Sequence, residues 1–157
     1  MNRNQAIFAA ARQLQQSGDH AGAVAMMRGA VAESPDDLEL QVGLGTILIK
    51  QDPRECIAVL EKAGARVPMG KRSRIYAALA VSYDAVGKTE LAIASARVAL
   101  MLEPGRVGPT MLLARVLGEI GEHDESLALF HSLLDRVGPQ MQATIQKAIA
   151  QLMAWRS

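Results

Sequence analysis

One short stretch decides the fold of this chain: Gly87–Ile93, which reads GKTELAI. Similar stretches occur at Gly18–Val24 (GDHAGAV) and Gly121–Leu127 (GEHDESL). Gly87 and Gly121 are 34 residues apart, and Gly18 lies 69 residues before Gly87, which is two such periods plus one residue. The missing copy lies at Asp52–Ile57, where the turn is one residue shorter. A period of this length is typical of a repeated helix–turn–helix unit.

Small residues recur at equivalent positions in the helices on either side of these turns. In the first helix of each unit they are Ala11, Gly45, Ala80 and Ala114, and in the second they are Ala23, Cys56, Ala92 and Ser126. Two helices that pack closely need small side chains where their backbones approach. Pro35, Pro68 and Pro104 follow the second helices of the first three units, where a proline ends a helix. The sequence therefore predicts four helix pairs.

This pattern resembles the tetratricopeptide repeat family, and the resemblance covers nearly the whole chain. It implies an all-α fold, a right-handed superhelical solenoid of four helix–turn–helix repeats plus a C-terminal capping helix. We expect a single domain over residues 1–157, with repeats at about 4–37, 38–70, 73–106 and 107–138 and the capping helix at 139–155. A two-residue insertion near Met69–Arg72 separates the second and third repeats.

The last predicted helix has one apolar face. Met141, Ile145, Ile149 and Leu152 are spaced four, four and three residues apart, as on one side of a helix. A terminal repeat needs its outer surface covered, so we expect this helix to cap the solenoid, with Trp155 closing its end. An independent interaction helix is the alternative that the sequence leaves open.

Composition excludes several classes of protein. The chain has 26 alanines and five aromatic residues, a balance that favours helices over strands. Seventeen basic and sixteen acidic residues give a net charge of +1, which argues against a nucleic-acid partner. No stretch of the sequence is long and apolar enough for a membrane span, so we expect a soluble, cytoplasmic protein. Its richness in Ala, Arg and Val suggests a bacterial source.

The residue patterns do not indicate catalysis, a metal site or a cofactor. Val86–Thr89 (VGKT) ends like a phosphate-binding loop but has Ser82 where that motif needs a glycine. The histidines lack metal-ligand spacing, and Cys56 occupies a small-residue position where an inert thiol is expected. We therefore expect a protein that is not an enzyme. One basic run, Lys71–Arg74, is interpreted as a solvated loop, with a phosphate-binding or kinase site as the alternative.

In the family, the first helix of each repeat lines a concave face on which peptides or partner helices lie. The resemblance places eleven residues of this chain in such a groove: Gln5, Phe8, Arg12, Glu39, Val42, Thr46, Arg74, Ala77, Val81, Met111 and Arg115. The carboxylate clamp of some family members is not expected, because only Arg74 keeps a charge where the clamp needs one. We expect a groove that is apolar in its middle, with Arg12, Arg74 and Arg115 as charged rims.

These expectations favour a non-enzymatic adaptor or scaffold that binds a peptide or helix of a partner protein in the groove. Two alternatives stay open: a structural module that assembles with itself, and a secretion chaperone built from the same repeats. Self-assembly would use an uncharged outer face, represented by Ala94, Val98 and Met101 on the second helix of the third repeat. A homo-oligomer is the form that this alternative predicts.

Overall fold

A computed structural model describes residues 1–156 as nine α-helices and two 3-10 turns, with no strand among those residues. The helices are α1 (Arg3–Gln16), α2 (His20–Glu33), α3 (Leu38–Leu48), α4 (Pro53–Gly64), α5 (Ser73–Ala85), α6 (Thr89–Leu102), α7 (Val107–Glu119), α8 (His123–Leu133) and α9 (Pro139–Arg156). One 3-10 turn, Met69–Lys71, precedes α5, and the other, Leu134–Arg136, precedes α9.

The helices pack in chain order into two layers. Each helix contacts the next, most extensively within the four pairs α1–α2, α3–α4, α5–α6 and α7–α8. The first helices of consecutive pairs also contact one another, and the second helices of consecutive pairs do so less. Because the first helices lie closer together, the stack curves around them and they form its concave face. The all-α solenoid of four helix pairs that the repeat predicts is confirmed.

Side-chain caps begin the helices of the first two pairs. Asn2, Asp19, Asp37 and Asp52 each accept a hydrogen bond from the backbone N–H three residues further on. Each cap satisfies one of the donors that a helix start leaves free. Pro53 follows Asp52 in the first turn of α4, where a proline removes no helical hydrogen bond. These caps fix the start of each helix in the first half of the chain.

Glycine makes the turn inside three of the four pairs. Gly18, Gly87 and Gly121 have φ angles of +91°, +79° and +93°. In this left-handed region a side chain crowds the following carbonyl oxygen, so glycine is favoured. The repeated glycine that predicts the fold is therefore required by the backbone of the turn.

The predicted small residues are buried where the helices meet. Seven of them are 0% exposed: Ala11, Ala23, Cys56, Ala80, Ala92, Ala114 and Ser126. The eighth, Gly45, is also buried, and a Cβ atom added to it would overlap the side chain of Leu60. These positions set how closely the helices approach.

The insertion between the second and third pairs is ordered by its own side chains. The guanidinium of Arg72 donates to the carbonyl oxygens of Val67 and Ala65, at 2.5 and 3.2 Å. Ser73 is buried, and its hydroxyl donates to the carbonyl oxygen of Ala99 at 3.2 Å. The basic run is therefore partly built into the fold instead of being a solvated loop throughout. Because Ser73 is inaccessible, the kinase-site alternative is wrong.

Equivalent ion pairs join the second helices at two of the three junctions between helix pairs. Arg28 of α2 donates two hydrogen bonds to the Glu55 carboxylate of α4, at 2.7 and 2.6 Å. Arg97 of α6 donates two to the Glu125 carboxylate of α8, at 2.6 and 3.0 Å. In both cases the guanidinium hydrogen bond lowers the pKa of the glutamate. The outer layer is thus tied at the first and third junctions.

The middle junction lacks this tie. The positions equivalent to the arginine and the glutamate hold Glu61 and Leu91, which cannot form an ion pair. Other side-chain hydrogen bonds join α4 and α5 at this junction, from the Tyr83 hydroxyl to the Glu61 carboxylate and from the Ser82 hydroxyl to the Cys56 sulfur. The middle junction is therefore held by hydrogen bonds and by the buried core instead of an ion pair.

The last helix, α9, covers the end of the stack. Ile145 and Leu152 are buried in a cluster with α7 and α8 side chains, and Ile149 packs against it. The sequence places Met141 on the same face, but Met141 is 41% exposed. Residues four apart differ by about 40° around a helix, so Met141 lies at the edge of the apolar stripe. Trp155 does not close the helix end: it is 66% exposed and its ring lies 6.0 Å from that of His123.

Overpacking tests the helix register. Ala80→Trp should lower the free energy of unfolding by about 1–3 kcal/mol or more, because no space exists for an indole between α5 and its neighbours. Urea denaturation measures the change. Ala85→Trp is the control, since Ala85 is exposed on the same helix, and it should unfold like the wild type. An unchanged midpoint for Ala80→Trp would show that the third pair is misassigned.

Two glycine substitutions should change the stability of the folded protein in opposite directions. Gly121→Ala should destabilise the protein by about 1–2 kcal/mol, because alanine is strained at a positive φ. Gly29 lies inside α2 with nothing within 4 Å of an added Cβ, so Gly29→Ala should stabilise it by up to about 1 kcal/mol. Thermal unfolding of the two variants beside the wild type checks both signs. A stabilising Gly121→Ala would contradict the assigned turn.

Candidate functional site

The concave face carries a central cavity with a volume of about 720 Å³. The first helix of every pair contributes to its wall. Phe8 and Arg12 come from α1, Thr46 from α3, and Ala77 from α5. The start of α7 closes the remaining side with residues 107–109. The cavity therefore spans all four helix pairs.

Two further cavities extend the central one. The cavity between α1, α3 and the start of α5, here the N-terminal cavity, has a volume of about 670 Å³ and shares Phe8 and Arg74 with the central cavity. The cavity between α5, α7 and α9, here the C-terminal cavity, has a volume of about 640 Å³ and shares Val81 and Gly108 with it. Because neighbouring cavities share wall residues, the three lie side by side along the concave face, and together they are called the groove below.

All eleven residues predicted from the resemblance line this groove. The N-terminal cavity contains Gln5, Glu39 and Val42, the central cavity Arg12, Thr46 and Ala77, and the C-terminal cavity Met111 and Arg115, while Phe8, Arg74 and Val81 each line two cavities. The structure thus brings the whole predicted set to one face. Their role in binding a partner stays a prediction.

The charged side chains of the central cavity are all cationic. Arg12, Lys50, Arg74 and Arg106 line it, and among the described residues no carboxylate does. Arg12 and Lys50 form no ion pair within residues 1–156, and Arg106 forms a long one, 3.4 Å, with Glu103. The central cavity therefore carries positive charge that the described chain does not compensate.

Arg74 lies at the centre of this charge. Its Cζ atom is 4.6 Å from the centroid of the Phe8 ring, a cation–π contact that holds the guanidinium in place. Burial lowers the pKa of Arg74, and the positive charges of Arg12 and Arg106 lower this pKa further. Arginine stays protonated in proteins, so the lowered pKa reflects first the cost of partly burying this charge and then the repulsion from the other cations of the cavity.

Arg115 does not stand free for a ligand, as the sequence led us to expect. Its Nη1 donates to the Glu119 carboxylate at 2.7 Å, one turn further along α7, and its Nη2 donates to the Asp84 carboxylate of α5. Its charge is therefore compensated by two carboxylates. Of the three arginines that the sequence predicts as rims, Arg12 and Arg74 therefore remain available to a ligand.

Two cations of the groove, Lys50 and Arg106, were missed by sequence reasoning. Lys50 follows the end of α3 and Arg106 precedes the start of α7, so both lie outside the helices whose register predicted the groove. Lys50 could have been found, because it stands four residues after Thr46, where the same helix face continues. The position of Arg106 depends on how the turn before α7 folds, for which the sequence gives no signal.

Several polar groups of the groove already have partners in the chain. The Gln15 side chain donates to the carbonyl oxygen of Ile47 at 2.7 Å. The Asn4 side chain donates to the Glu39 carboxylate at 3.1 Å. The Thr46 hydroxyl donates to the backbone carbonyl oxygen one turn earlier at 2.8 Å. What the groove offers a partner is therefore mainly apolar surface and positive charge.

The outer face has a smaller cavity between α4, α5 and α6, with a volume of about 390 Å³. Ala94 and Val98 line it from α6, and inside it the Tyr83 hydroxyl donates to the Glu61 carboxylate. Met101 of α6 is 73% exposed. The outer cavity at the middle junction therefore has an apolar wall on α6 but also contains the charged side chains of Glu61 and Arg72.

Residues that could support other chemistry are occupied or scattered. In residues 1–156 no group of three or more His, Cys, Asp or Glu side chains is placed to hold a metal ion. Cys56 is buried, its sulfur accepts a hydrogen bond from the Ser82 hydroxyl at 3.0 Å, and burial raises the pKa of its thiol. It is therefore an inert thiol. None of the described helices combines the length and the apolarity needed to cross a bilayer.

Comparison with known proteins identifies the family of this chain. Two sequence profiles, both described as tetratricopeptide repeats, match residues 14–81 and 73–156. The chain belongs to the tetratricopeptide repeat family. The two matches together take in part of α1 and all of α2 to α9, so nearly the whole fold consists of tetratricopeptide repeats and their last helix. No curated protein matches the chain.

Solved structures of other tetratricopeptide repeat proteins have the same fold. TTC0263, a thermophilic protein of Thermus thermophilus, is 21% identical, with a TM-score of 0.77 over 98% of this chain and 83% of that one. A fragment of MamA from Desulfovibrio magneticus RS-1 is 20% identical, with a TM-score of 0.70 over 84% and 74%. YrrB, described as having an unusual peptide-binding site, is 16% identical, with a TM-score of 0.71 over 96% and 76%. At these identities the likeness concerns the fold alone.

Tyr83 gives a prediction about pH. Burial and the Glu61 carboxylate raise the pKa of Tyr83 from 10.0 to about 12. The folded state then keeps a proton that the unfolded state loses, so this contribution to stability is present below pH 10 and is lost between about 10 and 12. Tyr83→Phe should therefore show a shallower fall in stability over this window, measured by urea denaturation at several pH values. An equally steep fall in Tyr83→Phe would contradict the assignment.

Proposed function

We propose that this protein is a non-enzymatic adaptor or scaffold that binds a segment of a partner protein, either an extended peptide or a helix, in the groove. The observation that carries the proposal is that three adjacent cavities follow one another along the first helices of all four pairs. A small ligand is usually enclosed in one pocket, whereas a peptide or helix needs a long open surface with several anchor points.

The chemistry of the groove supports a protein partner. Ala77, Ala78 and Val81 give the central cavity an apolar floor, and Val81 is 42% exposed although it is apolar. Covering such surface with the side chains of a partner stabilises a complex by about 25 cal/mol for each Å² removed from water. The alanines add little bulk, so they leave room for the partner's backbone to approach the helices.

The groove also lacks the parts of a catalytic site. Within the described chain, neither Cys56 nor any histidine lines any of the three cavities. The two carboxylates that do, Glu39 and Asp84, are hydrogen-bonded to Asn4 and Arg115. A nucleophile beside a free base is what hydrolytic chemistry requires. This arrangement favours binding over catalysis.

The shared fold adds limited support. The peptide-binding site of YrrB belongs to that protein, and its fold matches this chain with a TM-score of 0.71. A peptide on the concave face of this chain would be consistent with that use of the same architecture.

A second candidate function, self-assembly through the outer face, is favoured by one observation. Leu91 of α6 is large and apolar yet 47% exposed, and it lines the outer cavity beside Ala94 and Val98 of the same helix. Exposed apolar side chains that cluster on one face can mark a protein contact. This candidate function predicts that the immobilised protein captures further copies of the same chain.

Filling the groove tests the adaptor proposal. Ala77→Trp places an indole on the floor of the central cavity, and Ala94→Trp places the same group on the outer face as a matched control. Each variant is immobilised beside the wild type and used to capture proteins from an extract of the source organism, after its unfolding midpoint has been checked. We expect a partner that the wild type and Ala94→Trp retain and Ala77→Trp loses.

The other outcomes discriminate between the two candidates. Recovery of the protein itself, lost with Ala94→Trp, would favour self-assembly through the outer face. Equal retention of the same partner by all three forms would contradict the adaptor proposal, because the central cavity would then not be the binding surface.

A further inference from the structure

Four separate segments of the chain bring a cation to the central cavity. Arg12 comes from α1, Lys50 from the end of α3, Arg74 from α5, and Arg106 from the residue before α7. The chain as a whole is nearly neutral, with 17 basic and 16 acidic residues. The accumulation of one sign of charge in this cavity is therefore a local feature that overall composition does not explain.

The N-terminal and C-terminal cavities differ from the central cavity in the signs of the charges that line them. The N-terminal cavity contains Glu39 beside the cations Lys71 and Arg74. In the C-terminal cavity, Arg115 is paired with Asp84. Both ends of the groove thus contain both signs of charge, and only the middle is purely positive.

The backbone at the start of α7 adds to this positive charge. Val107 and Gly108, its first two residues, line the central cavity. Arg106 occupies the N-cap position, and within the described chain no side chain there accepts a hydrogen bond from the helix. Uncapped N–H groups give a helix start a partial positive charge and donors for an anion. In this α7 resembles α5 and differs from α1 and α3, whose starts are capped by the side chains of Asn2 and Asp37.

Like charges around one cavity repel each other, and an anion would relieve that repulsion. The lowered pKa of Arg74, caused by its burial and by Arg12 and Arg106, is consistent with this repulsion. The Phe8 ring already holds the guanidinium of Arg74, so a carboxylate would lose less entropy in ordering it. Guanidinium groups bind carboxylates with paired, charge-assisted hydrogen bonds.

We propose that the occupant of the central cavity is an acidic segment of a partner protein. Its Asp or Glu carboxylates bind Arg12, Arg74 and Arg106, and its apolar side chains pack on Ala77 and Val81. This inference rests on the proposed function and names the class of peptide that the groove takes. Because four cations line this one cavity, they fit a segment that brings more than one carboxylate.

Nucleic acid fits the same surface less well. The exposed face of Phe8 is covered by Arg74, so it offers no platform on which a base could stack. On either side of the central cavity the groove carries a carboxylate, Glu39 at one end and Asp84 at the other, and these repel a phosphate backbone that continues along it. The apolar floor of the cavity also suits side chains better than phosphates.

Selection from a library of random peptides tests this inference on the full chain. The wild type should enrich peptides with an excess of Asp and Glu interspersed with apolar residues. Labelled copies of the enriched peptides are then titrated against Arg12→Gln/Arg74→Gln, where we expect binding weaker by about tenfold or more. The matched control, Arg28→Gln/Arg97→Gln, removes the same charge from the outer face and should bind like the wild type.

A second variant keeps the test decisive if the first is destabilised. Lys50→Gln/Arg106→Gln changes side chains outside the helices and should also weaken binding of the enriched peptides. Raising the salt concentration should weaken wild-type binding and have less effect on both groove variants.

Each remaining outcome overturns the inference in a different way. Enriched peptides without an acidic excess would contradict it and leave the adaptor proposal intact. No enrichment above a blank surface would contradict both. Acidic peptides that bind both groove variants as tightly as the wild type would place the site elsewhere. Oligothymidylate that binds the wild type more tightly than the enriched peptides would overturn the assignment to a protein partner.

Discussion

In each helix pair, two backbones approach closely because the residues between them are small and fully buried, as at Ala80 on α5 and Ala92 on α6. A wider side chain at either position would push the helices apart and tilt one unit against the next. Each unit contacts only its neighbours, so no distant contact corrects such a tilt. The curvature of the stack, and with it the groove, depends on these contacts being tight in every unit.

Curvature has an electrostatic consequence. Bending the stack around its first helices brings side chains from all four pairs toward one another on the concave face. In this chain the side chains brought together in the middle include Arg12, Arg74 and Arg106, which repel each other. Burial of small residues on the pair interfaces therefore holds in place an arrangement of charges that is unfavourable by itself. Binding sites often carry such locally unfavourable features because a ligand relieves them.

The sequence predicts the fold well because the same residue types recur at equivalent positions in successive units. These are the glycines of the turns, the small residues of the helices and the prolines that follow the second helices. The groove residues then follow from the helix register alone. Once α1, α3, α5 and α7 are placed, the helical periodicity assigns the residues of their concave faces, and all eleven of these residues line the groove.

What the sequence does not predict depends on contacts between units and on turns. Asp84 and Arg115 lie on different helices, so the periodicity of one helix could not predict that they pair. Arg106 reaches the groove from the turn before α7, which periodicity does not describe either. Met141 and Trp155 lie on a helix whose neighbours cover only part of its surface, so periodicity could not place the edge of its buried stripe.

The side-chain bonds between helix pairs differ in kind from one junction to the next. At the first and third junctions an exposed Arg–Glu ion pair joins the second helices. At the middle junction the Tyr83 hydroxyl of α5 donates to the Glu61 carboxylate of α4, and the buried Ser82 hydroxyl donates to the Cys56 sulfur. Dissolved salt screens exposed ion pairs and acts much less on hydrogen bonds between buried groups. A rise in ionic strength is therefore expected to weaken the first and third junctions more than the middle one.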